Sequence, residues 1–101
     1  MFIHRIESAL YRKCVYNWSQ EDKNHLALLL KKMIDYSNQW SKSSLQDRFN
    51  NIDHGMQDNA YSYAVRAINY YGGTFIQNVK NKYGIDRNTL INVLVDSYNH
   101  L

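Results

Sequence analysis

"KNKYGIDRNTLINVL", residues 80–94, holds the clearest punctuation in the chain. Apolar residues recur at helical steps up to Tyr83, break at Gly84, and resume at Leu90. Glycine enters the left-handed conformation that closes many helices, and an apolar residue just beyond it often packs back onto the last turn. Gly84 followed by Ile85 fits that role. Asp86 is an N-cap residue type, able to accept a backbone N–H of the first turn. One helix is therefore predicted to end at Gly84. Another begins after Asp86, with Leu90, Val93 and Leu94 facing inward.

Working outward, the same reasoning divides the rest of the chain. Thr74 is placed as the cap of a short helix carrying Phe75, Ile76, Val79 and Tyr83. "GG" at 72 and 73 ends the helix before it. That helix is capped by Asp58 and carries Ala60, Ala64, Ala67, Ile68 and Tyr71 on its inner face. Three alanines on one face let a neighbouring helix approach closely, so this helix is expected to be central. Ser43 with Gln46 forms a capping box for a helix lined by Leu45, Phe49 and Ile52, ending near Asp53 and Gly55. Ser19 with Asp22 resembles the same box, with Asp in place of Glu, and opens a helix over about 20–40. Its buried face is Leu26, Leu29, Leu30, Met33 and Trp40, with Lys31, Lys32 and Asp35 elsewhere on the cylinder. Ile3, Ile6, Leu10, Cys14 and Trp18 make the stripe of a first helix over 3–17. No segment alternates apolar and polar residues long enough for a strand. The expectation is an all-α fold: a single compact bundle of five or six helices over residues 1–101, one helical domain, its C-terminal pair forming a helix-turn-helix-like corner.

The totals set bounds on function. The chain has 101 residues, a net charge of +3, no proline, nine tyrosines and one cysteine. That length suits one domain with its own core. The charge is mildly basic, short of the dense Lys/Arg of a dedicated nucleic-acid binder. A single cysteine, Cys14, precludes an internal disulfide, fits a reducing compartment, and reads as a small core residue on its stripe. The N-terminus lacks the apolar run of a signal peptide, and "LALLL" at 26–30 is too short to span a bilayer, so a cytoplasmic location with no membrane partner is expected. Abundant Asn, Tyr, Ile and Lys is a composition associated with A/T-rich coding, as in bacterial mobile or phage-derived genes.

"KYGIDRNTLINVL" resembles the helix-turn-helix DNA-binding family. Val79 and Tyr83 stand before the turn, Gly84 at it and Ile85 after it, and Leu90 and Val93 on the second helix. The resemblance implies a reading helix in the major groove with Arg87, Asn88 and Asn92 on base edges. Two features depart from it. Lys80 stands where the family carries a small buried residue. Residues 84–101 have Arg87 against Asp86 and Asp96, a net of −1, whereas phosphate contacts favour a neutral or basic reading helix. The same residues are fully accounted for as a helical corner.

"RFNNIDH" sets Arg48 six residues before His54, a spacing similar to that of the helical HEPN nucleases. The resemblance implies an Arg/His pair acting on phosphodiesters. Phe49 occupies a position that family keeps polar. His4, His25, His54 and His100 show no metal-ligand spacing, and "YGGT" at 71–74 lacks the lysine and strand of a phosphate loop. No catalytic residue, metal or cofactor is expected.

Tyrosine carries the functional reading. Tyr61, Tyr63, Tyr70 and Tyr71 crowd one helix, and a helix with one core face cannot bury them all. Tyr and Arg are enriched at binding hot spots, where a rigid ring gives large contact area at low entropy cost. Tyr61, Tyr63, Arg66, Tyr70 and Lys80 are therefore the expected contact surface for another protein, a toxin or enzyme with an acidic patch. The function expected is that of a non-catalytic binding module such as an immunity protein, antitoxin or inhibitor. The alternative is a small helix-turn-helix regulator of DNA, nucleic acid being the second choice of partner.

Overall fold

The computed structural model describes residues 6–42 and 60–101, with the side chains of 40–42 left aside. Within them lie five helices and no strand: α1 (Ala9–Val15), α2 (Gln20–Lys42), α3 (Ala60–Tyr71), α4 (Phe75–Tyr83) and α5 (Arg87–Asn99). The helix expected around 45–53, the caps Ser43 and Asp58, residue Ile3, the Arg48/His54 pair and the Trp40 side chain fall outside the described residues.

The first helix is shorter than its apolar stripe suggests. Ser8 takes an extended conformation, and its Oγ accepts the Tyr11 N–H at 3.0 Å. A serine so placed starts a helix rather than continuing one, which moves the start to Ala9. Ser8 Oγ also donates to the Asp96 carboxylate on α5, and the Leu10 N–H reaches the same oxygen at 3.3 Å. The start of α1 is thus anchored by a charge from the far end of the chain. Past Val15 the chain turns, with the Trp18 N–H on the Val15 carbonyl, and Trp18 is buried inside that turn.

Ser19 caps α2, its Oγ accepting the Asp22 N–H at 3.2 Å. In the usual box the third-position acid reaches back to the cap's own N–H. Aspartate is one methylene too short, and a distant tyrosine fills the gap. The Ser19 N–H donates to Tyr83 Oη at 3.0 Å, and that hydroxyl donates to Asp22 Oδ2 at 2.6 Å.

Two different glycine effects shape the later turns. A Cβ on Gly72 would sit 2.5 Å from the Ile68 carbonyl oxygen of α3 and 3.0 Å from the Ile76 side chain of α4, so the turn between the two helices has no room for a side chain there. Gly84 has open space around it but φ of 71°, a left-handed conformation that L side chains rarely adopt. Its N–H donates to the Lys80 carbonyl at 2.9 Å, closing α4. Asp86 then caps α5, its Oδ1 accepting the Thr89 N–H at 2.8 Å. The expected cap at Thr74 does not form: Thr74 is already in a helical conformation, and its side chain makes no cap bond.

The core is one cluster. Leu26, Leu29, Leu30 and Met33 from α2 meet Tyr63, Ala64, Ala67 and Ile68 from α3, Phe75 and Val79 from α4, and Leu90, Ile91, Val93 and Leu94 from α5. Val15 and Trp18 close one side, and Ile6, Leu10 and Cys14 pack partly buried against it. Ala64 and Ala67 are fully buried and α3 lies along α2 and α5, so the alanine face does seat a close neighbour. Among the described residues α5 also packs against all four other helices.

Candidate functional site

The expected contact surface separates into parts. Tyr70 (73 % exposed) and Tyr61 (57 % exposed) are open, but nine residues on a helix is about two and a half turns, so the two rings flank opposite edges of α3's outer face. Tyr63 is a correction to that surface. It is 3 % exposed, packs on the core and lies 5.9 Å from the Tyr98 ring, whereas Tyr70, seven residues on and at nearly the same helical phase, is left open near the end of α3. Lys80 lies exposed on α4, close enough to Asp86 for its charge to act on that carboxyl. Tyr71, assigned to the inner face, is 42 % exposed at the end of α3.

Arg66 and Tyr70 do come together, and they meet residues of α2 that sequence reasoning passed over. The Arg66 guanidinium lies 5.9 Å from the centre of the Tyr36 ring. The Lys32 ammonium lies 4.5 Å from the centre of the Tyr71 ring. Burial, then the neighbouring Tyr71 phenol, hold the Tyr36 hydroxyl above the usual tyrosine range, with Tyr70 adding to the effect and Arg66 opposing it. His25 Nε2 approaches the Tyr71 carbonyl at 3.3 Å. Lys32, Tyr36, Arg66, Tyr70 and Tyr71 therefore line one seam along α2 and α3, with Lys32 over the Tyr71 ring and Arg66 near the Tyr36 ring. Exposed Leu28, one turn before Lys32, extends it with apolar surface. The only sequence signal for the α2 side was the step from Leu28 to Lys32 to Tyr36, a stripe on one edge of the helix.

The corner at 84–86 is bound into the fold. Arg87 Nη2 donates to Asn69 Oδ1 on α3 at 2.9 Å, while Asn88 and Asn92 are exposed. Helix α5 buries Leu90, Ile91, Val93, Leu94 and Ser97, and it packs far more on α1, α2 and α3 than on α4, its partner in the corner.

Two other groupings have chemical potential on paper. Ser8, Asp96 and His100 lie in a chain, with His100 Nδ1 3.5 Å from Asp96 Oδ1. The order is wrong for nucleophile activation, in which histidine must stand between the acid and the hydroxyl. Here the hydroxyl is fully buried and bonded to the carboxylate itself. A cleft of about 160 Å³ between α2 and α4 is lined by Glu21, Asp22, His25, Thr74, Phe75, Asn78 and Lys82. His25 stacks on Phe75 with ring centres 4.1 Å apart, and Asp22 is engaged by Tyr83 and, at 3.2 Å, by Lys82. Among the described residues no group of three or more His, Cys, Asp or Glu is placed to hold a metal ion, and no helix is long and apolar enough to cross a membrane.

No protein-family model matches the chain, and neither a curated protein nor a solved structure matches it.

Proposed function

We propose that this protein is a non-catalytic binding module that neutralises or inhibits a partner protein by direct contact, as an immunity protein, antitoxin or inhibitor does. The observation that carries the reading is the α2–α3 seam. It sets Tyr70 and Tyr71, exposed at the end of α3, beside two cations, on helices anchored in the core. Rigid aromatic surface with adjacent positive charge is the composition of a binding hot spot. The cations favour a partner surface rich in acidic residues and would speed encounter with it.

The test is co-purification. The protein should recover one partner protein in stoichiometric amount from its native cell, and Tyr70→Ala should weaken that recovery while leaving the helical circular dichroism unchanged. Recovery of no protein sinks the reading.

The DNA-regulator alternative draws on exposed Asn88 and Asn92 together with Arg87. It has less support, because Arg87 is engaged by Asn69 and α5 packs against all four other described helices. A groove-reading protein with several phosphate contacts binds DNA more tightly as salt falls. Absence of DNA binding at low salt would end that alternative.

A further inference from the structure

We infer that α1 is a hinged strap: it is latched to α5 at Asp96, turns on residues 16–17, and leaves as a unit while the rest of the fold stays intact. A helix of seven residues is too short to persist alone in water, because nucleation is unfavourable and few bonds follow it. Thus α1 is helical only while it is held. Its start is held by one carboxylate. Asp96 Oδ2 accepts from the Ser8 hydroxyl and from the Leu10 N–H at 3.3 Å, and the Ser8 oxygen in turn accepts the Tyr11 N–H. The Asp96 charge secures the cap residue and the first turn through a single atom. On the other side of the carboxylate, Asp96 Oδ1 lies 3.5 Å from Nδ1 of His100, one turn further along α5. The latch belongs to α5 and the catch to α1.

The other end is fixed beyond the helix. Trp18 is buried, stacked on Tyr83 with ring centres 4.9 Å apart and edge-on to Phe75 at 6.0 Å. The next residue, Ser19, donates its N–H to Tyr83 Oη. Between α1 and this anchor stand Tyr16 and Asn17, both exposed and in a turn. A few loop residues beside a fixed point can absorb a backbone rotation without disturbing the core. Opening draws Val15 out of the core, with half-buried Leu10 and Cys14, and uncovers the surface of α5 on which α1 packs. The packing of α2 on α3, and of α3 on α5, does not involve α1. Segments that bury little apolar surface open locally, below the free energy of global unfolding.

The experiment is native-state hydrogen exchange on the full chain, with protection factors followed as urea is added below the unfolding transition. Amides of residues 12–15 report the strap, and amides around Leu29 and Leu30 in α2 report global unfolding. In the wild type the strap amides are expected to be about a hundredfold less protected than those of α2, with a shallow dependence on urea because little surface is exposed. Asp96→Asn keeps the shape of the side chain and removes its charge. It is expected to lower strap protection a further tenfold or so, and to change α2 protection less than about threefold. Equal protection and equal urea dependence in the two groups would overturn the strap, since α1 would then leave only with the whole fold. An Asp96→Asn effect of the same size in both groups would overturn the latch. The wild-type comparison decides on its own if Asp96→Asn fails to fold.

Discussion

The hydroxyl of Tyr83 donates to Asp22 Oδ2 at 2.6 Å while accepting the Ser19 N–H at 3.0 Å, so the last residue of α4 completes the cap of α2. The Tyr83 ring also stacks on Trp18, with centres 4.9 Å apart. Tyr83→Phe keeps the stack and removes the hydroxyl. It leaves the Ser19 N–H without its acceptor and strips a donor from a carboxylate that is nearly buried. A loss of about 1–3 kcal/mol of unfolding free energy is expected, read from urea denaturation followed by circular dichroism. A Tyr83→Phe midpoint equal to wild type would show that water replaces the phenol at no cost.

Three aspartates that accept hydrogen bonds from helix starts are expected to make stability fall in acid. Asp22 is held below the usual carboxylate range first by the Tyr83 hydroxyl, Asp86 by the Thr89 backbone N–H, and Asp96 by the Ser8 hydroxyl. A carboxyl whose folded pKa is depressed contributes stability that is fully present above its unfolded pKa, about 3.9, and is lost as pH falls through the folded value. Thermal midpoints should therefore be level above about pH 5 and decline below it. Asp96→Asn should flatten part of that decline, because amide and carboxylate differ only where the carboxylate is charged. An identical acid limb in wild type and Asp96→Asn would remove Asp96 from this account.

The same contacts mark what could be read from the sequence. The Gly84–Ile85–Asp86 corner was legible because its causes are local: one residue's dihedral and one side chain's reach of three positions. The inward faces of α2 and α5 were legible because their leucines recur at helical steps. Ser19 and Asp22 announced a cap, but nothing local announced Tyr83, which is more than 60 residues away. The anchoring of α1 by Asp96 was hidden for the same reason, and with it the late start of that helix. The tyrosines failed as a set because composition says that some must be outside, while the stretch of α3 that the other helices cover decides which: Tyr63 and Tyr70 share nearly one phase, and only Tyr63 is covered. The partnership of Lys32 with Tyr71 depends on that packing alone.

Glycine substitutions should separate strain from space. Gly84→Ala meets no neighbour within 4 Å but must hold φ near 71°, so a cost of about 1–2 kcal/mol is expected. Gly84→Asn should recover much of it, since asparagine tolerates the left-handed region. At Gly72 the obstacle is the Ile68 carbonyl, 2.5 Å from the added carbon, so Ala and Asn should both be destabilising with no recovery by Asn. Thermal melts of the four variants check this. Rescue by Asn at Gly72 would contradict the steric assignment.

Ser97 offers the opposite sign. It is 1 % exposed on the inner face of α5, and among the described residues its Oγ has no hydrogen-bond partner. A buried hydroxyl without a partner carries its desolvation cost uncompensated. Alanine removes that group and is a better helix former than serine. Ser97→Ala is expected to raise unfolding free energy by about 1 kcal/mol, seen as a higher urea midpoint with an unchanged slope. A lower midpoint would mean that the hydroxyl is paired in solution.

The sharpest contrast lies within α3. Tyr63 and Tyr70 are the same residue type on the same helix, one 3 % and the other 73 % exposed. Tyr63→Ala empties a core position between Ala67 and Tyr98, and deletion of a large buried ring costs about 3–5 kcal/mol. Tyr70→Ala removes a ring from water and should stay within about 0.5 kcal/mol of wild type. Tyr63→Phe, which keeps the ring volume, should recover most of the loss. Loss of partner capture in Tyr63→Ala therefore reports unfolding, whereas loss in Tyr70→Ala reports contact. A Tyr70→Ala protein that melts like Tyr63→Ala would show that the Tyr70 ring is part of the core, and the seam would lose its most exposed residue.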